Sequence, residues 1–192
     1  MYNNAMVIES FLKNLQVADE GFIKNIGMKK HVNDLSKKHK KYPSIVDMAT
    51  QESEDDAGMK SGIINGYHIA IQKSISIEDI KLHKRDFDSI RQAVPTIFKE
   101  VCQSEIDSYN DSNGKNGPWE WTKVDDAVYQ ERRLSDITNK VKLTTIFFDR
   151  IENGVLYAEM WFSDGGLYFD HDLVAEIECV NGKTKLIQHA IF

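Results

Sequence analysis

The sequence predicts an α+β fold in which an antiparallel meander sheet packs against one long helix. Two patterns indicate this: an apolar stripe at helical spacing over residues 85–109, and strand-like segments with period-two alternation after residue 142. The order of the elements agrees, because a hairpin, then a helix, then a run of strands is typical of α+β proteins. With 192 residues, 41% of them hydrophobic, the chain is long enough for one such core.

The first 60 residues are expected to form a helical N-terminal extension, and residues 61–192 to form the α+β domain. Helical spacing of apolar residues over 7–15, with Asn4 as N-cap, predicts the first helix, and shorter helices are predicted over 19–26 and 30–40. Residues 47–62 are acidic and almost free of large apolar side chains, so we interpret them as a linker.

The domain is predicted to open with a hairpin and to continue with the long helix. Asn65-Gly66 between apolar runs predicts a type I′ turn, which needs positive φ at both central residues. Pro95 lies inside the helix and has no N–H, so we expect a kink or a break near residues 93–94. The face predicted to be buried comprises Phe87, Ile90, Val94, Ile97 and Val101.

Four strands are predicted for the meander, at 142–148, 155–162, 173–179 and 186–191, joined by turns at 153–154, 163–166 and 181–182. In the second strand the even positions from 156 to 162 are apolar and are expected to face the helix. The other face of the sheet then carries Tyr157, Glu159, Trp161, Glu176 and Glu178.

Charge is unevenly distributed along a chain whose net charge is −6. Residues 24–41 carry seven Lys against Asp34, a run that we interpret as a solvated helix face with phosphate binding as the alternative. Residues 149–178 carry eight acids against Arg150, and no further Lys or Arg occurs before Lys183. Because the chain is acidic overall, a nucleic-acid partner is not expected.

Several features bear on location. No window approaches 18 consecutive apolar residues, and the N-terminus lacks the basic segment of a secretory signal. Cys102 and Cys179 are far apart in sequence and are expected to be buried free thiols. Together with a composition of 19 Lys against five Arg, typical of AT-rich bacterial genes, this predicts a cytoplasmic bacterial protein with no membrane contact.

No common catalytic motif is present: the sequence lacks a P-loop, a dinucleotide-binding fingerprint, a nucleophile elbow, H-E-x-x-H and C-x-x-C. The densest cluster of possible ligands lies in residues 164–172, so a metal-dependent hydrolase remains the alternative function. In an extended strand Asp170 and Asp172 share a face that His171 does not, which disfavours a joint site. We therefore expect no metal, no cofactor and no enzymatic activity, with the alternative centred on Asp164, Asp170, His171 and Asp172.

The same segment resembles a family of small bacterial domains of unknown function whose strand–turn–strand motif reads approximately D-G-D-L-F-W-G-H. The resemblance covers about residues 85–192, and here Gly166 replaces an acid of the motif and Asp170 replaces a glycine. It implies no established enzymatic activity. Some similar domains are suspected immunity proteins for bacterial toxins, which implies a binding role. The matching residues are Asp164, Gly165, Leu167, Tyr168, Phe169 and His171.

We therefore expect a non-enzymatic protein-binding module, such as an immunity or antitoxin protein, that meets a basic partner with an acidic sheet face. A nuclease toxin is one such partner, because its nucleic-acid site is basic. A purely solubilising acidic face is the alternative. The residues expected to contact the partner are Tyr157, Glu159, Trp161, Glu176 and Glu178.

Overall fold

The structure is a computed structural model that describes residues 40–54, 58–122, 129–169 and 171–192. The fold is α+β, as the sequence predicts. Its helices are α1 (Ile45–Gln51), α2 (Ile77–Leu82), α3 (Lys84–Asp111), α4 (Trp119–Thr122) and α5 (Leu134–Thr138). Its strands are β1 (Met59–Ile64), β2 (Tyr67–Gln72), β3 (Lys142–Glu152), β4 (Val155–Ser163), β5 (Leu173–Val180) and β6 (Lys183–Ile191).

All six strands belong to one sheet in the order β1-β2-β3-β4-β5-β6. The predicted hairpin and the predicted meander are joined by pairing of β2 with β3, and this pair is parallel while all other neighbours are antiparallel. A parallel pair needs a long crossover connection, and the segment containing α2 to α5 supplies it. The long helix is thus the crossover that covers the sheet.

Three hairpins turn on Asn-Gly pairs with positive φ at both residues. The φ angles are 53° and 87° at Asn65-Gly66, 52° and 76° at Asn153-Gly154, and 51° and 74° at Asn181-Gly182. Asparagine and glycine tolerate this left-handed region better than other residues, and the right-handed twist of the strands favours such turns. The predicted hairpin positions are confirmed.

The long helix α3 is one continuous element of 28 residues. The break considered at Pro95 does not occur, and the helix continues through this exposed residue. The predicted stripe is buried against the sheet, and the same helix also buries Ile106 and Tyr109. The confirmed residues are Phe87, Ile90, Val94, Ile97 and Val101.

The interpretation of residues 47–62 as a linker is wrong, since this stretch contains part of α1 and of β1. Ser44 caps α1, its hydroxyl accepting from the backbone N–H of Asp47 at 3.1 Å. Ile45, Met48 and the preceding Tyr42 belong to the same core as α3. The helices predicted before residue 40 and most of the lysine run lie outside the described residues, and the domain boundary at residue 60 stays a prediction.

The sheet has two buried faces of unequal size. The larger core lies between the sheet and α3 and includes the even positions of β4 from Leu156 to Phe162. On the opposite face a small cluster comprises Met59, Ala70, Phe147, Trp161 and Val174. Both cysteines are buried free thiols, as expected. Across the described ranges, no helix is long and apolar enough to span a membrane.

Candidate functional site: an acidic cavity between two β-bulges

Two irregularities in strand pairing lie on either side of the same region of the sheet. Between β3 and β4, Phe148 pairs with Ala158 and Arg150 pairs with Tyr157, so Asp149 is an extra residue without a partner. Between β5 and β6, the pairing passes from Gln188 to Leu186, which leaves Ile187 as the extra residue. Each bulge inserts one residue and bends its strand, which redirects the neighbouring side chains.

A cavity of about 290 Å³ lies between these bulges on the face of the sheet away from α3. It extends across β3, β4, β5 and β6, and both bulged residues line it. Its volume is at the lower limit for small-molecule sites, so it suits one side chain or a small ion rather than a nucleotide. The lining residues are Asp149, Arg150, Tyr157, Ala158, Glu159, Glu176, Ile177, Ile187 and Gln188.

Glu159 is the most buried acid of the cavity, with 4% of its surface exposed. Its Oε2 accepts a hydrogen bond from Trp161 Nε1 at 2.9 Å. Burial raises the pKa of Glu159 to about 8; the Trp161 hydrogen bond opposes the shift, and the nearby carboxylates of Asp149 and Glu176 add to it. At neutral pH this carboxyl group is therefore mostly protonated, and ionising it requires a compensating positive charge.

Glu176 lies directly opposite Glu159 across β4 and β5. Its Oε2 accepts a hydrogen bond from Gln188 Nε2 at 2.8 Å. Two acids at one cross-strand position are destabilising when both are ionised. Within the described part of the chain, neither carboxylate has an ion pair with a Lys or Arg.

Arg150 is the one cationic residue of the described lining, and its guanidinium already contacts other side chains. Its guanidinium contacts the Asp149 carboxylate, lies 3.6 Å from Glu152 and sits 4.3 Å above the ring centre of Tyr157. Burial raises the pKa of Asp149, and the contact with Arg150 opposes that shift. Arg150 thus compensates the acid at the β3 bulge.

Glu178 also has its own cation. Lys185 lies opposite it across β5 and β6, and Lys185 Nζ is 3.5 Å from Glu178 Oε1. The acidic stretch of the sequence is therefore partly neutralised across the sheet by the last strand. The uncompensated acids are Glu159 and Glu176, in the middle of the cavity.

The sequence correctly assigns Tyr157, Glu159, Trp161, Glu176 and Glu178 to the face away from α3. Two of these residues, Glu159 and Trp161, are nevertheless buried on that face, each with 4% of its surface exposed. Trp161 belongs to the small apolar cluster of this face, and its ring centre lies 6.4 Å from that of Phe192. Tyr157 and Glu176 are half-buried in the cavity lining, and Glu178 is half-buried outside it.

Six lining residues were not singled out from the sequence as site residues, and two of them, Ala158 and Ile177, belong to the main core. Asp149 and Arg150 lie in the acidic stretch, but only the bulge turns Asp149 toward the cavity. Ile187 and Gln188 come from the last strand, and no sequence pattern predicts the bulge in that strand. The excess of acids over 149–178 was the one available signal, and it pointed to the right region.

The alternative site in the segment 164–172 stays a prediction, because only three of its four residues are described. Both Asp164 side-chain oxygens accept backbone N–H groups, from Gly166 at 2.9 Å and from Tyr168 at 2.8 Å, and thereby fix the turn. His171 is exposed and its ring centre lies 5.1 Å from that of Trp119. Asp172 is buried, and Asp170 lies outside the described residues. Among the residues that the structure describes, no group of three His, Cys, Asp or Glu is placed to hold a metal ion.

A second polar cluster lies on the other side of the sheet, inside the main core. Glu105 of α3 accepts a hydrogen bond from the Tyr168 hydroxyl, and its Oε1 lies 2.8 Å from His189 Nε2 of β6. Burial and the Glu105 carboxylate raise the pKa of Tyr168. The cluster connects the helix, the 164–172 segment and the edge strand, and we assign it a structural role because all three of its polar groups are paired.

Comparison of the chain with protein-family models, with curated proteins and with solved structures found no match.

Proposed function

We propose that this chain is a non-enzymatic protein-binding module that receives a basic partner protein on the sheet face carrying the acidic cavity. An immunity or antitoxin protein that covers the nucleic-acid site of a toxin is the kind of role this surface suits. The residues proposed to contact the partner are Tyr157, Glu159, Trp161, Glu176 and Glu178, with Asp149 and Gln188 added from the cavity lining. Trp161 is buried, so its contribution is indirect: its indole N–H donates a hydrogen bond to Glu159 and holds that side chain in place.

One observation carries this proposal: Glu159 and Glu176 face each other across two strands, and neither has an ion pair with a described Lys or Arg. This pairing costs stability in the free protein, because at neutral pH Glu159 must take up a proton to be buried beside Glu176. A sheet that served only to hold the fold together would be more stable with one of these acids replaced by a neutral residue. The presence of both Glu159 and Glu176 is explained if a positively charged partner compensates the two carboxylates in the complex.

The composition of the cavity suits recognition of a cation. Its described lining offers carboxylates, an amide, a phenol and a guanidinium. Acidic surfaces of this type act mainly on association rate and on selection among partners. Buried aromatic and aliphatic contacts at the rim then supply affinity, and Tyr157 and the exposed Ile187 are placed for this.

A capture experiment from a bacterial lysate tests the proposal with two variants of equal charge change. The cavity variant combines Asp149→Asn, Glu159→Gln and Glu176→Gln. The control variant combines Glu100→Gln, Asp107→Asn and Asp111→Asn, three exposed acids of α3 far along the chain from the cavity. The capture is carried out at pH 9, above the raised pKa of Glu159, so each variant raises the net charge by about three and general electrostatic attraction changes almost equally in both.

The proposal predicts that the wild-type chain and the control variant retain a basic protein at 50 mM salt and release it at 500 mM salt, both chosen for the test on the basis of charge screening. The cavity variant retains much less of the same protein. Equal loss in both variants, or retention of no basic protein by the wild type, would contradict the proposal. Thermal unfolding of all three proteins verifies that each is folded.

A further inference from the structure

We infer that the acidic cavity is a receptor for one guanidinium group, and that an arginine side chain of the partner inserts between Glu159 and Glu176. This inference rests on the proposed function and specifies the chemistry that the cavity recognises.

The described contacts show which acids of this face lack a counter-ion. Asp149 has Arg150, and Glu178 has Lys185. Glu176 has only the neutral amide of Gln188, and Glu159 has only the indole N–H of Trp161. The two acids that have no ion pair within the described ranges are neighbours in one cavity, so a single added cation can contact both.

The side chain of Glu159 points to a ligand independently of the acidic cluster. It is more than nine-tenths buried, and its single described hydrogen bond uses Oε2, which leaves Oε1 without a donor among the described residues. Glu159 also lines the cavity. Because Oε1 is not sealed from solvent, it is reached from the cavity, and a donor from outside can enter there.

The geometry favours arginine over lysine. Cβ atoms at a direct cross-strand pair lie roughly 4.5–5.5 Å apart, so two carboxylates at such a pair present acceptors side by side. A planar guanidinium with five N–H donors matches two neighbouring acceptors, whereas an ammonium is a compact and strongly hydrated point charge. The exposed Ile187 in the lining suits the weakly hydrated guanidinium and the aliphatic part of its side chain.

Arg150 provides an example of the same recognition at the edge of the cavity. Its guanidinium contacts one carboxylate, that of Asp149, and covers the aromatic ring of Tyr157. A second guanidinium in the cavity would repeat this arrangement with Glu159 and Glu176. The charged groups that face Glu159 from the described elements are Asp149 and Arg150 of β3 and Glu176 of β5.

Binding of a cation here requires an ionised Glu159, so affinity depends on pH. Because burial raises the pKa of Glu159 to about 8, most molecules must release a proton on binding below that pH. One released proton makes the apparent affinity rise about tenfold per pH unit below pH 8 and level off above it. An affinity that rises with pH is the behaviour expected of a ligand that binds only the ionised form of Glu159.

The experiment uses the full chain and three capped amino acids: the N-acetyl amides of arginine, lysine and citrulline. Citrulline has nearly the shape of arginine but no charge. Binding is measured by NMR, from the indole N–H signal of Trp161, at pH 6, 7, 8 and 9. Glu159→Gln and Glu176→Gln are compared with Glu100→Gln, an exposed control on α3 with the same charge change.

We expect the arginine amide to bind at least about tenfold more tightly than the citrulline amide and more tightly than the lysine amide. Its affinity rises with pH in the wild type and in Glu100→Gln, and Glu159→Gln abolishes that rise. Equal shifts with arginine and citrulline would overturn the inference, and equal affinity for arginine and lysine would overturn the guanidinium assignment.

The two proposals fail in different ways. Capture of a basic protein by the wild type but not by the cavity variant, with no arginine binding, would refute the guanidinium site and leave the binding module standing. Arginine binding without capture of any basic protein would support the cavity assignment and refute the partner. Folding of every variant is verified by its thermal unfolding curve.

Discussion

Glu159 and Glu176 are direct cross-strand partners, one buried and one half-buried, and neither has an ion pair with a described Lys or Arg. Arg150 and Lys185, the nearest cations across the sheet, are engaged by Asp149 and Glu178. This arrangement lowers the stability of the free protein. The size of that loss in the free energy of unfolding is expected to depend on pH and to change when either acid is replaced.

Replacing Glu159 by Gln is expected to stabilise the protein at neutral and alkaline pH. The pKa of Glu159 is raised to about 8 in the folded state from an ordinary value of 4.5. Between these pH values the folded chain binds more protons than the unfolded chain, so wild-type stability falls as pH rises. The difference between variant and wild type is near zero at pH 4.5 and reaches at most about 5 kcal/mol above pH 8.

Urea unfolding at pH 5, 7 and 9 measures this difference; guanidinium chloride is unsuitable because its cation is the proposed ligand. Glu100→Gln serves as the control, since Glu100 is exposed on α3. A variant that is less stable than the wild type at pH 9 would contradict the account of Glu159.

Truncation of Ile97 to Ala is expected to cost roughly 2–5 kcal/mol in the free energy of unfolding. Ile97 has 3% of its surface exposed and belongs to the core between α3 and the sheet. Chemical denaturation monitored by circular dichroism measures the loss. The same truncation at the exposed Leu82 is expected to cost much less, and equal costs would be inconsistent with the described packing.

The Glu105 cluster is expected to stabilise the attachment of β6 and of the 164–172 segment to α3. Glu105→Ala leaves the buried Tyr168 hydroxyl and His189 without their carboxylate partner, which should cost roughly 2–4 kcal/mol. Tyr168→Phe removes one hydrogen bond and should cost about 1 kcal/mol. A double-mutant cycle between the two positions measures their coupling, and additive effects would show that the hydrogen bond contributes nothing.

Asp164 is expected to act on the fold and not on a metal. Asp164→Ala removes both acceptors of the turn and should cost about 1–3 kcal/mol. Elemental analysis of purified protein should find no stoichiometric transition metal. One equivalent of metal that is lost on His171→Ala would contradict this expectation and favour a metal-dependent hydrolase.

The regular elements could be predicted because local chemistry specifies them. The Asn-Gly pairs fix three hairpins, and the spacing from Phe87 to Val101 fixes the buried face of α3. Other features depend on partners distant in sequence. The parallel pairing of β2 with β3 is such a feature, and so is the contribution of Tyr42 and Met48 to the core from a stretch that looks like a linker.

The candidate site could be predicted only in part, because alternation along a strand is local whereas the cavity depends on pairing between strands. Alternation along β4 assigns Glu159 and Trp161 to the correct face, but it does not reveal that an apolar cluster covers part of that face. The cavity itself depends on the bulges at Asp149 and Ile187, which arise from pairing between strands and have no signature within either strand. Counting charges in one window also missed Lys185, which lies opposite Glu178 only because β6 pairs with β5.

The most direct test of the central claim is the titration of the Glu159 carboxyl carbon by ¹³C NMR, with and without the arginine amide. The account predicts a pKa of about 8 in the free chain, because burial and two neighbouring acids oppose ionisation. It also predicts a fall of at least about one unit when the cavity holds a guanidinium. An ordinary pKa near 4.5 in the free chain, or a pKa that the arginine amide leaves unchanged, would contradict the claim that this cavity binds a guanidinium cation.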